Sequence, residues 1–171
     1  RPFGSKAQAC KEISQVQIQS AWIANSGTTM RLLAGAVAAL GLPAILDGSE
    51  GLRSRPMRRI VAPLNQMGVD IQSSEEGTAP LALSARPTNQ KLRCLEYTLP
   101  VASAQVKTCL LLAALATEGE TKLREPGPSR DHTERMLRAM GAGVESRSVL
   151  DHANGVEQIE TRFLPPNPLE L

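Results

Sequence analysis

The chain has 171 residues, enough for one domain or one lobe of a larger protein, and enough to bury a real core. Its 42% hydrophobic content excludes a disordered chain, and 19 basic against 17 acidic residues, a net charge of +2, give no nucleic-acid coat. Aromatics at 2% exclude base-stacking platforms, and the longest apolar run, Cys109 to Ala116, is too short to cross a bilayer.

Residues 1–23 are weakly patterned and form an uncertain N-terminal segment, although EISQVQIQSAWI alternates in part, as a strand does. Thr28 to Leu40 reads as a helix stopped by Gly41, and it is apolar on nearly every face, as a buried helix is. LPAIL reads as a short strand. In RPMRRIVAPLNQMG, Met57, Ile60, Val61, Leu64 and Met67 recur at helical spacing, with Pro56 at the start and Gly68 at the end. Pro63 falls inside this helix, where it removes a backbone donor and is expected to kink it. VDIQ follows as a strand.

The pattern then recurs. CLEYTLP reads as a strand, Ser103 to Thr117 as a second apolar helix stopping near Gly119, and ETKLRE as a strand. Asp131 to Met140 reads as an amphipathic helix with Thr133, Met136, Leu137 and Met140 on one face. Glu134 and Arg138 are spaced to pair on another. Gly141 ends that helix, and GVESR opens a strand. RPMRRIVAPLNQMGVDI and SRDHTERMLRAMGAGV each run from Arg through an amphipathic helix into Met-Gly and a strand, so the chain reads as a duplication. Its units are 24–95 and 96–162, and 163–171 is a proline-rich end or linker.

Four polar stretches sit at or near predicted helix starts: Asn25–Arg31, Arg53–Arg55, Ser103–Lys107 and Ser129–His132. A helix start exposes unpaired N–H groups and the positive end of the macrodipole, so small polar residues with basic ones there suit an anion. Each stretch has a plainer explanation, since Ser and Thr are ordinary N-caps. Four of them in a duplicated unit point to a phosphorylated or carboxylated small molecule. Arg31 is locally unfavourable at a helix start and calls for an anionic partner, either the substrate or an inner carboxylate. An inner partner that braces the site from behind is the reading favoured here.

Other chemistry finds little support. His132 and His152 are too few for a typical metal site, and His132 reads as a solvated surface residue. GTTMRLLAG lacks the Gly-Lys-Ser/Thr of a P-loop, and there is no Gly-x-Ser-x-Gly elbow. Cys10, Cys94 and Cys109 are odd in number and lack CxxC spacing, so they read as structural thiols in a reducing cytoplasm.

Four segments carry a family resemblance: NSGTTMRLLAG, LRSRPMRRIVAPLNQMG, LPVASAQVKTCLLLAALATEGET and SRDHTERML. In this order and at about these spacings they resemble 5-enolpyruvylshikimate-3-phosphate synthase, and they span roughly residues 24–145. The resemblance implies an α/β (α+β) fold of repeated βαβαββ units, with buried helices wrapped by sheets, as one lobe of the two-lobed enolpyruvyl transferases. It implies transfer of the enolpyruvyl group of phosphoenolpyruvate to the 5-hydroxyl of shikimate 3-phosphate, in aromatic amino-acid synthesis. No cofactor or metal is implied, and no nucleic-acid or membrane partner. The family is expected to be cytoplasmic and monomeric.

Matched position by position, Asn25, Gly27, Thr28 and Arg55 would form the phosphoenolpyruvate site, where glyphosate competes in the family. Gln105 would lie near both substrates. Ser103, Ala104, Gln105, Ser129 and Arg130 would bind shikimate 3-phosphate. The chain departs from the family at FGSKAQACK, where Ala7 and Lys11 replace a serine and an arginine and the spacing to NSGTT is too short, so no role is carried to Lys6. The family's second lobe, with its acid and base groups, has no counterpart here. The resemblance therefore implies no catalytic residue in this chain, weak shikimate-3-phosphate binding, and no turnover unless the other lobe is supplied. Two rivals stand beside it. One is an inactive fragment or binding module of the same fold. The other is the transferase acting on UDP-N-acetylglucosamine, whose reactive cysteine loop is absent from DGSEGLRSRP.

Overall fold

The computed structural model describes residues 19–151 and 155–166. Cys10, His152, the FGSKAQACK stretch and most of the first strand expected in EISQVQIQSAWI lie outside the described residues, as does the end of the proline-rich tail.

The first repeat begins with strand β1 (Gln19–Trp22) and helix α1 (Gly27–Leu40). Ser26 caps α1 by accepting the Thr29 N–H at 3.1 Å, and Gly41 closes it at φ 68°, a left-handed conformation open to glycine. Strand β2 (Ala44–Asp47) and the short helix α2 (Glu50–Arg53) follow. Helix α3 (Arg58–Gln66) begins two residues after Pro56, and it continues through Pro63 as one element. Of its expected apolar stripe, Met57, Ile60, Leu64 and Met67 are fully buried. Strands β3 (Ile71–Gln72) and β4 (Leu81–Leu83) complete the unit.

The second repeat runs β5 (Glu96–Thr98), α4 (Ala104–Ala114), β6 (Thr121–Glu125), α5 (His132–Ala139), β7 (Gly143–Asp151) and β8 (Val156–Leu164). Ser103 caps α4 as Ser26 caps α1, accepting the Val106 N–H at 3.4 Å. The two sheets share one topology, β1-β2-β4-β3 and β5-β6-β8-β7. In each, the first pair is parallel and the remaining pairs are antiparallel. The glycines that follow α3 and α5, Gly68 and Gly141, both have φ 89°. The two halves thus share one strand order and one glycine ending after the amphipathic helix.

Helices α1 and α4 pack against each other between the sheets. The contact requires a glycine, because a Cβ on Gly35 would lie 2.9 Å from the Cys109 carbonyl carbon and Cα, and closer still to its oxygen. Every α4 residue from Val106 to Leu111 is buried.

Helix α5 departs from its expected pattern. Leu137 is buried, but Met136 and Met140 are 47% and 58% exposed, so the methionine face points outward. Nor do Glu134 and Arg138 pair. Glu134 turns inward to Lys107, and Arg138 donates from Nε and Nη2 to the Val144 carbonyl. A buried lysine opposite draws the carboxylate in, because a lone buried charge is costly.

Candidate active site

Helix starts α1, α4 and α5, with the start of α3, open onto one cavity of about 950 Å³. Thr28 and Arg31 line it from α1, Pro56 and Arg59 from the turn into α3, and Ser103, Ala104, Gln105 and Thr108 from α4. Ser129, Arg130, His132 and Thr133 close the α5 side. Of the residues expected from the sequence, Thr28, Ser103, Ala104, Gln105, Ser129 and Arg130 therefore meet in one cavity. Asn25, Gly27 and Arg55 sit on its flank: Arg55 Nη2 donates to Asn25 Oδ1 at 3.4 Å, and a Cβ on Gly27 would lie 3.1 Å from Arg55 Nη1.

Arg31 joins the flank to the cavity. Its Nη1 donates to Gln105 Oε1 at 2.7 Å and to the Gly27 carbonyl at 3.3 Å, and its Nη2 donates to the Pro56 carbonyl at 3.0 Å. Its partners are thus neutral oxygens, not the inner carboxylate expected, and it lines the cavity where a brace from behind was expected. Burial lowers its pKa first, and the nearby charges of Arg55 and Arg59 lower it further. Three arginines whose charges add make this wall strongly attractive to an anion.

Gln105 is held by both ends of its amide, since its Nε2 donates to Thr28 Oγ1 at 2.8 Å. Thr28 and Gln105 are each the second residue after the capping serine of their own helix, so equivalent positions of the two repeats touch across the cavity floor.

Beneath the α4 and α5 starts lies a buried ionic cluster. Lys107 Nζ sits 2.9 Å from Glu125 Oε2 and 2.6 Å from Glu134 Oε1, and all three side chains are 3% exposed or less. Burial alone would lower the Lys107 pKa, but the hydrogen bonds and charges of Glu134 and Glu125 outweigh it and the pKa is raised. Glu125 also accepts from Ser103 N at 2.8 Å and from Ser129 Oγ at 2.9 Å. Lys107, read from the sequence as part of a basic helix start, therefore points inward. Above it, Thr108 and Thr133 hydroxyls meet at 2.6 Å. The Cys109 thiol is fully buried and pushed up to about 12, chiefly by that burial, as befits a structural cysteine.

Sequence reasoning passed over Arg59, Thr108 and Thr133 as lining residues and Glu125 altogether, and it read His132, within the Ser129–His132 stretch, as a solvated surface residue. The one available signal was spacing: Thr108 is one helical turn beyond Ala104, and Thr133 follows directly on the Ser129–His132 stretch. Among the described residues no helix is long and apolar enough to cross a membrane.

A family model described as EPSP synthase (3-phosphoshikimate 1-carboxyvinyltransferase) matches residues 7–163. The chain is 52% identical over 122 residues to the 3-phosphoshikimate 1-carboxyvinyltransferase of Halorhodospira halophila, covering 71% of this chain and 27% of that protein. It is 48% identical over 146 residues to the enzyme of that name from Syntrophomonas wolfei, covering 85% of this chain and 33% of the relative. Among solved structures, EPSP synthase from Acinetobacter baumannii superposes with a TM-score of 0.74 at 41% identity, over 87% of this chain and 31% of that one. The chain spans 27% to 33% of the length of these two curated relatives.

Proposed function

The chain belongs to the EPSP synthase family, and from that premise we propose that it supplies most of the shikimate-3-phosphate-binding lobe of a 3-phosphoshikimate 1-carboxyvinyltransferase. The reaction protonates the methylene carbon of phosphoenolpyruvate and adds the 5-hydroxyl of shikimate 3-phosphate, with loss of its proton, to the neighbouring carbon; phosphate then leaves as a proton is taken from the new methyl group, which restores the double bond of the enol ether. Ser103, Ala104, Gln105, Ser129 and Arg130 take shikimate 3-phosphate. Asn25, Gly27, Thr28 and Arg55 take phosphoenolpyruvate, with Gln105 between the two.

The observation that carries this reading is the convergence of four helix starts on one cavity that bears Arg31, Arg59 and Arg130 beside Ser103 and Ser129. The Gln105–Thr28 hydrogen bond adds support, since it ties a residue of one substrate group to a residue of the other at 2.8 Å. The flank at Gly27 suits close approach, because no Cβ stands between a ligand and the guanidinium ends of Arg31 and Arg55. The residues assigned here bind and orient. Proton transfer and exclusion of water fall to groups of the complete two-lobed enzyme.

Titration calorimetry of the 171-residue chain with shikimate 3-phosphate tests the assignment. Heat with shikimate 3-phosphate and none with UDP-N-acetylglucosamine is expected. A folded sample silent to shikimate 3-phosphate overturns the binding assignment, and measurable enolpyruvyl transfer by the chain alone overturns the division of labour.

A further inference from the structure

The two serines assigned to shikimate 3-phosphate face the cavity with opposite hydrogen-bonding character. Ser103 Oγ accepts the Val106 N–H at 3.4 Å, so its own hydrogen is available to a ligand oxygen. Ser129 Oγ gives its hydrogen to Glu125 Oε2 at 2.9 Å. That same oxygen accepts from the Lys107 ammonium at 2.9 Å, while Glu125 Oε1 takes the Ser103 backbone N–H at 2.8 Å. A carboxylate facing an ammonium is an acceptor on every side, so the hydroxyl is the one group that can supply the hydrogen between Ser129 and Glu125. Only lone pairs of Ser129 are then left for the cavity.

Glu125 is built into this place. It is the last residue of β6 and is fully buried. Lys107 is anchored a second time on Glu134 at 2.6 Å and cannot swing away. The cluster holds two carboxylates to one ammonium, so a negative charge stands behind Ser129 where a phosphoryl dianion is to bind.

We propose that Glu125 is a positioning residue that keeps the Ser129 hydrogen turned away from the cavity. Ser103 and Arg130 are then the donors to the phosphoryl group, and Ser129 presents an acceptor. This rests on the shikimate-3-phosphate reading of the cavity. Glu125→Ala should reverse the arrangement, because it removes the acceptor that holds the Ser129 hydrogen, while Lys107 keeps Glu134. The serine hydrogen is thereby released toward the ligand.

Calorimetry with shikimate 3-phosphate, and with shikimate as the phosphate-free probe, tests this on the 171-residue chain. The readout is the preference for the phosphorylated probe, which a merely structural loss does not move. Ser103→Ala should cut that preference about tenfold, as loss of one charge-assisted hydrogen bond does, and Ser129→Ala only about twofold. In the Glu125→Ala background, Ser129→Ala should cost about tenfold. Equal losses from the two serines, or the same Ser129→Ala loss with and without the Glu125 carboxylate, overturn the proposal alone. If circular dichroism shows Glu125→Ala unfolded, the comparison of the two serine variants decides, because both leave the buried cluster in place. A wild-type chain silent to both probes overturns the cavity reading and this proposal with it.

Discussion

Arg31 Nη1 donates to Gln105 Oε1 at 2.7 Å, across 74 residues of sequence and between the two repeats. Together with the Gln105 bond to Thr28, it fixes which end of the amide faces which repeat. Lysine cannot reproduce this, because one ammonium cannot hold Gln105, the Gly27 carbonyl and the Pro56 carbonyl in a planar fork. Arg31→Lys should therefore weaken shikimate-3-phosphate binding by about tenfold, the worth of one hydrogen bond to a charged group. The midpoint of urea unfolding should move much less, since the side chain is only half-buried. Calorimetry and urea titration on the same sample check both parts, and an unchanged affinity would sink the positioning role of Arg31.

Gly27 opens α1 with two guanidinium groups against it. A Cβ there would lie 3.0 Å from Arg31 Nη1 and 3.1 Å from Arg55 Nη1. Both are ends of flexible side chains and can yield by a few tenths of an ångström. Gly27→Ala should leave the fold intact, with stability unchanged or raised by up to about 1 kcal/mol from helix propensity. The cost should fall on the anion. Phosphoenolpyruvate titrated into the chain saturated with shikimate 3-phosphate should bind severalfold more weakly to the variant. A clear loss of stability instead would mean that the two arginines are pinned.

Much of the fold could be read from residues whose signal is local. The αL stop at Gly41, the buried stripe of α3 and the paired Met-Gly endings each follow from one turn of chain. Ser26 and Ser103 behave as the capping serines their residue type predicts, and Ser103 also lines the cavity. What could not be read is set by distant partners. Glu134 has the spacing to pair with Arg138, and only the fold reveals the buried Lys107 that outcompetes it. Arg31 announces a need for compensation, but the amide that answers it lies in the other repeat. Strand β4 escapes notice because three residues are too few to show a period.

Gly35 is the close point between α1 and α4, where a Cβ would meet the Cys109 backbone at 2.9 Å or less. Backbone in a helix cannot step aside as a guanidinium does. Gly35→Ala should destabilise the chain by about 1–3 kcal/mol despite its better helix propensity, through overpacking. Gly127, where an added Cβ would meet nothing within 4 Å, is the control, and Gly127→Ala should shift stability by less than about 0.5 kcal/mol. Equal urea midpoints for the two variants would show that the helices can separate freely at this crossing.

Glu160 sits on β8 with Arg124 opposite it on β6 and Arg147 opposite it on β7, while Arg162 lies two residues on, along the same face. The Arg162 hydrogen bond at 2.8 Å leads in holding its carboxyl down to about 2; burial opposes this, and Arg124 and Arg147 reinforce it. A folded pKa below the ordinary 4.5 means that the unfolded chain binds the proton more readily. The stabilisation is therefore fully present above pH about 4.5 and is lost as pH falls toward about 2. Glu160→Gln should cost on the order of 1–2 kcal/mol at pH 7, the arginines being partly solvated and screened. The two stability curves should converge as the pH is lowered through this window, and added salt should narrow the gap at pH 7. Urea unfolding at pH steps from 7 to about 2 reads this directly. Curves that stay parallel would show that Glu160 holds β6, β7 and β8 by shape and not by charge.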